Sequence, residues 1–126
     1  MADSSLISIV DDDRPLRESM KRLLRALGYT VEVFPSAADF LASPRLGETA
    51  CLIADVHMPG MNGDDLYRSV VNTGRTMPTI LVTAYPDEDV RDRALKDGVV
   101  CYLNKPIDKD QLVDCIRLSL SPGGKS

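Results

Sequence analysis

Four places in the chain gather side chains that can do chemistry. Asp11, Asp12 and Asp13 run together in "SIVDDDRP", and a lone acid, Asp55, ends the apolar stretch of "LIADVHMPGMNG" (Leu52–Gly63). Thr83 closes "TILVT", and Lys105 stands in "YLNKPI". Carboxylates that converge within a few ångströms repel one another and cannot all stay ionised cheaply. A hard divalent cation resolves this. Mg²⁺, with Mn²⁺ as a substitute, prefers oxygen ligands and takes one or two carboxylates plus phosphate oxygens. Beside such a cation a carboxylate is a competent nucleophile toward phosphorus and forms an aspartyl-phosphate. Lysine and threonine then suit the remaining phosphoryl oxygens, one by charge and one by a hydroxyl hydrogen bond.

These residues can meet only if the fold brings them together, and the apolar pattern says how. Short, largely apolar runs at Leu6–Val10, Thr30–Val33, Cys51–Ala54, Thr79–Thr83 and Val99–Leu103 read as strands covered on both faces. Helices fall between them. Leu16, Met20, Leu23, Leu24 and Leu27 share one helical face, with Pro15 in the first turn and Gly28 as the C-terminal stop. Further helices are expected at Ser36–Ala42, Gly63–Asn72, Asp87–Asp97 and Lys109–Leu120, with Asp87 as an N-cap and Gly98 ending its helix. Five strand–helix units call for a parallel α/β sheet with helices on both faces. In such a sheet every strand's carboxyl end lies on one edge, where ligand sites form. The acids, the hydroxyl and the ammonium all follow strands, so they reach that edge together.

The quoted motifs "IVDDD" (Ile9–Asp13), "ADVHMPGMNG" (Ala54–Gly63), "LVTAY" (Leu81–Tyr85) and "YLNKPI" (Tyr102–Ile107) resemble, in this order, the receiver domain of bacterial two-component response regulators. The resemblance covers about Leu6 to Leu120. It implies a flavodoxin-like (βα)5 fold with strand order 2-1-3-4-5. It makes Asp55 the phosphoacceptor, Asp12 a direct metal ligand and Asp11 the holder of metal-bound water. The backbone carbonyl of His57 is implied as a third protein ligand, and Thr83 and Lys105 as partners of the phosphoryl oxygens. Tyr102 matches the aromatic position that turns inward as the Thr83 hydroxyl moves, and the Lys105–Pro106 bond is expected to be cis. The second helix, "PSAADFLASP" (Pro35–Pro44), and the "MPGMNG" loop resemble the FixJ-type regulators, which carry a DNA-binding output domain.

What the resemblance implies is a phosphorylation-dependent switch rather than a turnover enzyme. A sensor histidine kinase or phosphotransfer protein donates, and the face of the fourth helix, fifth strand and last helix, with Val90, Tyr102 and Ile107, signals to an output domain or partner. That face is also expected to form a phosphorylation-dependent homodimer. Plainer readings stand beside these. Asp13 suits a helix N-cap, Thr83 is a good β-former, Lys105 could be a solvated lysine, and Tyr102 could simply fill space. The His57 ring either gates water near Asp55 or has no role. An aspartyl phosphatase wants a second acid two residues after the first, where His57 stands. A nucleotide or flavin module wants a glycine-rich loop where "VDDDRP" stands. A receiver that binds partners without phosphorylation is a third alternative, against which the complete set of acids, Thr83 and Lys105 argues.

The bulk composition sets outer bounds. At 126 residues, with 44% hydrophobic and 27% charged residues, the chain fits one globular domain. Residues 1–120 are expected to form the receiver domain and residues 121–126, "SPGGKS", a tail or the start of a linker. A net charge of −4 argues against direct nucleic-acid binding or an anionic membrane partner. The opening "MADSSLISIV" lacks a basic n-region, and no apolar run approaches a membrane span. Cys51, Cys101 and Cys115 show no metal-site spacing and are expected to be free thiols in a reducing cytoplasm.

Overall fold

Strand and helix alternate five times in the computed structural model, which describes residues 5–121. In chain order the elements are β1 (Leu6–Val10), α1 (Arg14–Ala26), β2 (Thr30–Phe34), α2 (Ala37–Leu41), a 3-10 turn (Leu46–Glu48), β3 (Thr49–Asp55), α3 (Gly63–Asn72), β4 (Thr79–Thr83), α4 (Glu88–Asp97), β5 (Cys101–Asn104) and α5 (Lys109–Leu120). The five strands pair in parallel in the order β2-β1-β3-β4-β5, as the sequence motifs implied. Beyond Ser121 the expected tail lies outside the described residues, and no described helix is long and apolar enough to cross a membrane.

Alternation along the central strands divides the apolar side chains between the two faces of the sheet. Ile7, Ile9, Cys51, Ile53, Ile80 and Val82 meet Met20 and Leu24 of α1 and Leu112 and Ile116 of α5. Val10, Leu52, Ala54 and Leu81 meet Phe40 of α2, Leu66 and Val70 of α3, and Ala94 of α4. Burying both faces fixes the register, because a one-residue slip would exchange every inward side chain. It also fixes which residue ends each strand, and hence what reaches the edge.

The helix ends follow their capping chemistry. Asp13 caps α1 by accepting the Leu16 N–H at 3.3 Å, and Asp87 caps α4 by accepting the amides of Asp89 and Val90 at 2.9 and 3.2 Å. Gly98 ends α4 in the left-handed region (φ +118°), which glycine adopts without a Cβ penalty.

Several expectations are corrected. β5 begins at Cys101 rather than Val99, because the Val99 N–H is spent on the Ala94 carbonyl in closing α4. β3 begins two residues early, at Thr49, whose hydroxyl meets Ser8 Oγ at 2.8 Å between strands. Leu27 is half-exposed past the end of α1, off the apolar face assigned to it. The cysteines are not all free. Cys101 and Cys115 are joined as a disulfide, with Cα atoms 6.2 Å apart, because the inner face of α5 packs on β5. The cysteine content therefore carries no argument about redox compartment. Cys51 is the free thiol, and burial pushes its pKa up to about 12, which leaves it inert.

Candidate functional site

Two loops and one strand end at the carboxyl edge of the sheet converge on one cluster. The β1–α1 turn presents Asp11 and Asp12, the end of β3 presents Asp55, and the loop after β5 presents Lys105. One carboxylate oxygen from each of Asp11, Asp12 and Asp55 lies within 4.8 Å of the others. Lys105 Nζ bridges two of them, 3.1 Å from Asp11 Oδ2 and 3.2 Å from Asp55 Oδ2. Asp11 is fully buried and Asp55 nearly so, whereas Asp12 is exposed at the rim.

The scaffold holds each of these groups by its backbone. The Asp11 amide donates to the Phe34 carbonyl at 3.1 Å, and Asp11 Oδ1 accepts the Asp13 N–H at 2.8 Å. Asp55 closes a strand flanked on both sides, and its Oδ1 accepts the His57 N–H at 3.2 Å. The Lys105 amide donates to the Thr83 carbonyl at 2.7 Å, which ties the lysine to the end of β4, and the Lys105–Pro106 bond is cis as expected. Gly63 opens α3 directly over Asp55. A Cβ there would lie 2.9 Å from the Asp55 carbonyl carbon and closer still to its oxygen, so only glycine lets the helix approach this far.

The electrostatics are those of a site short of positive charge. Burial raises the Asp11 pKa above its ordinary value, against the pull of the Asp13 amide and Lys105, and the neighbouring Asp55 raises it further. Burial works against the Lys105 charge, but the Asp11 and Asp55 carboxylates outweigh it and hold its pKa above the ordinary value. Two carboxylates 4.8 Å apart or less repel by about 3 kcal/mol or more at an effective dielectric near 20. One ammonium cannot neutralise three carboxylates. Asp11 Oδ2, although close to Lys105, has no hydrogen bond of acceptable geometry. A buried carboxylate oxygen that has an ion pair but no aligned hydrogen bond, inside an all-oxygen donor set, fits a hard divalent cation.

The remaining expected residues take separate positions. Thr83 is fully buried, and its hydroxyl accepts the Tyr85 N–H at 3.0 Å, leaving its own proton available for donation. The His57 ring is exposed and stands edge-on to Tyr85, with centroids 5.7 Å apart at 77°. Tyr102 is half-buried on β5, and its hydroxyl accepts the Asp87 N–H at 3.3 Å at the start of α4. Sequence reasoning missed Arg17. Its Nη1 donates to the Asp11 carbonyl at 2.7 Å. The signal was an arginine four residues after the cap Asp13, on the turn that faces back toward β1.

The comparisons with known proteins point one way. A family model described as "Response regulator receiver domain" matches residues 7–117. The chain is 36% identical over 125 residues to the response regulator protein TodT of Pseudomonas putida, covering 98% of this chain and 55% of that protein. It is 33% identical over 120 residues to the transcriptional regulatory protein FixJ of Azorhizobium caulinodans, covering 95% of this chain and 57% of that protein. Among solved structures, FixJ-N superposes with a TM-score of 0.83 at 30% identity, covering 95% of both chains. The response regulator StyR superposes at 0.85 with 35% identity, covering 94% of this chain and 60% of that one. The chain thus spans about half the length of the curated relatives it matches first.

Proposed function

The chain belongs to the response regulator receiver domain family of two-component signalling, and from that premise we propose that it is a switch phosphorylated on Asp55. The observation that carries the proposal is the Lys105 ammonium held between Asp11 and Asp55, with Asp12 completing an acidic cluster at the strand ends. The donor is a phosphohistidine on a sensor kinase or phosphotransfer protein. An Asp55 oxygen forms the new P–O bond as the P–N bond breaks, and the leaving imidazole keeps the electron pair.

Asp11, Asp12, Asp55 and the His57 carbonyl would hold Mg²⁺, for which Mn²⁺ can substitute, and the bound cation neutralises charge on the transferring phosphoryl oxygens. Lys105, already beside Asp55, follows the phosphoryl oxygens by charge. The Thr83 hydroxyl donates its free proton to another. Drawing Thr83 toward the phosphoryl group opens the space behind it. Tyr102 is the switch residue that responds, and its bond to the Asp87 amide couples the movement to the start of α4.

The output is the α4–β5–α5 face, where Val90, Tyr102 and Ile107 are half-buried among charged residues. It forms a phosphorylation-dependent homodimer or regulates an output domain; by analogy with FixJ, such a domain would control transcription. Residues 1–120 form the receiver domain, residues 121–126 a tail or linker. It acts in the cytoplasm, without turnover of an external substrate and without touching nucleic acid itself. Incubation with a labelled phosphohistidine donor and Mg²⁺ tests the reading. Label is expected on the parent and not on Asp55→Asn, whereas transfer to both or to neither overturns it. Sedimentation with and without a phosphoryl mimic tests the dimer, which an unchanged mass would exclude.

A further inference from the structure

Arg17 lies one turn into α1, yet its head turns back to the strand instead of out to water. Nη1 donates to the Asp11 carbonyl at 2.7 Å, and Nε is buried without a partner among the described residues. An ordinary surface arginine buries its stem and leaves the guanidinium solvated. Here the fold tolerates an unsatisfied buried Nε in order to reach one carbonyl, and that asks for a reason.

The reason lies in what that carbonyl controls. The Asp11 amide is held by Phe34, Oδ1 by Asp13, and Oδ2 faces Lys105. The carbonyl belongs to the Asp11–Asp12 peptide, whose plane sets the direction in which the Asp12 side chain leaves the backbone. Asp12 is exposed and makes no side-chain hydrogen bond to a described residue, so its backbone is what aims it. Its carboxylate nevertheless falls in the cluster with Asp11 and Asp55.

We propose that Arg17 is a positioning residue that locks the Asp11–Asp12 peptide and thereby sets the affinity of the acidic cluster for a divalent cation. The inference rests on the reading that the cluster holds such a cation. Geometry and charge predict opposite signs here, which makes the test sharp. A guanidinium next to carboxylates repels an incoming cation, so by Coulomb's law its removal should tighten binding. If Arg17 positions Asp12, its removal should weaken binding instead, as loss of a supporting hydrogen bond at a metal site does.

The experiment is titration calorimetry of the full chain with MgCl₂, for the parent, Arg17→Met and Arg17→Lys, with metal-free thermal melts alongside. The expected result is one site in the parent, a loss of about tenfold in affinity in Arg17→Met, and recovery of most of it in Arg17→Lys. Equal or tighter binding by Arg17→Met overturns the assignment. So does a lowered melting point with an unchanged Kd, which would mark a merely structural role. Should Arg17→Met not fold, Arg17→Gln keeps an amide donor, is too short to reach the carbonyl, and carries the same expectation. A parent that binds no Mg²⁺ overturns the cation reading itself, a result distinct from failure of the Arg17 step.

Discussion

Replacing Gly63 with alanine sets helix propensity against close packing at the base of the site, and the structure decides which prevails. In a helix interior alanine is worth up to about 1 kcal/mol over glycine, and less at the first helical residue, which Gly63 is. Against that, the new Cβ would meet the Asp55 carbonyl oxygen, its carbon at 2.9 Å and Leu81 Cδ2 at 3.2 Å. Two of those atoms are backbone of β3, which is flanked by β1 and β4, and Gly63 is itself pinned by donating to the Val56 carbonyl at 3.0 Å. Neither side can retreat without breaking a hydrogen bond, so overpacking of about 1–3 kcal/mol outweighs the propensity gain. The net expectation is a loss of about 1–2 kcal/mol, or roughly 3–10 °C in Tm for a domain of this size. Urea titration followed by circular dichroism measures it. Gly60→Ala is the control: its φ of +87° makes alanine unfavourable, but no atom crowds the Cβ. Gly63→Ala should therefore also weaken Mg²⁺ binding through Asp55, and Gly60→Ala should not. An alanine at position 63 that stabilises the protein, or leaves both readouts unchanged, would refute the reasoning.

Lys105→Ala should cost about 3–5 kcal/mol in the absence of metal, because it leaves two buried carboxylates without their cation. Mg²⁺ should stabilise this variant more than the parent, and equal stabilisation in urea titrations would argue against a shared site. The Lys105 pKa is raised in the fold, so its contribution is full below the ordinary 10.5 and is lost as pH rises through the folded value. Stability measured across the alkaline range should accordingly fall more steeply for the parent than for Lys105→Met, and matching slopes would contradict the ion pair. The edge-on His57 and Tyr85 rings should slow loss of the phosphoryl group by restricting water. A phosphate-release assay should thus find faster decay in the His57→Asn, Tyr85→Gly double variant; equal or slower decay would return His57 to having no role. Asp87→Ala removes the cap of α4 and should cost about 1 kcal/mol in thermal unfolding, and a neutral result would count against its capping bonds.

The parts of the fold legible in the sequence were those set by local pattern. Apolar runs of strand length, and the acids and glycines that cap helices, reported the element order because each signal lies within a few residues of what it determines. Strand order 2-1-3-4-5 came from the motif resemblance, since nothing in a single strand says which neighbour it takes. The errors arose where a contact outside the local pattern decided the outcome, or where a helix ended earlier than its apolar face suggested, as at Leu27. Thr49 joins β3 through a hydroxyl contact to Ser8, and Val99 leaves β5 because α4 claims its amide. Cys101 and Cys115 meet only once α5 docks on β5. At the site, Asp11, Asp12, Asp55, Thr83 and Lys105 were legible because strand ends in a parallel sheet share an edge. Arg17 was missed because its partner is a main-chain carbonyl, which leaves only its spacing from the cap Asp13 as a signal.

If this chain carries its own machinery for phosphorylating Asp55, it needs no partner protein to become phosphorylated. The chain is incubated with Mg²⁺ and a small-molecule phosphodonor and weighed intact, beside Asp55→Asn and a metal-chelated control. The parent alone is expected to gain one phosphoryl group, and chelation or loss of the carboxylate is expected to abolish the gain. No gain in the parent, or the same gain in Asp55→Asn, would contradict it.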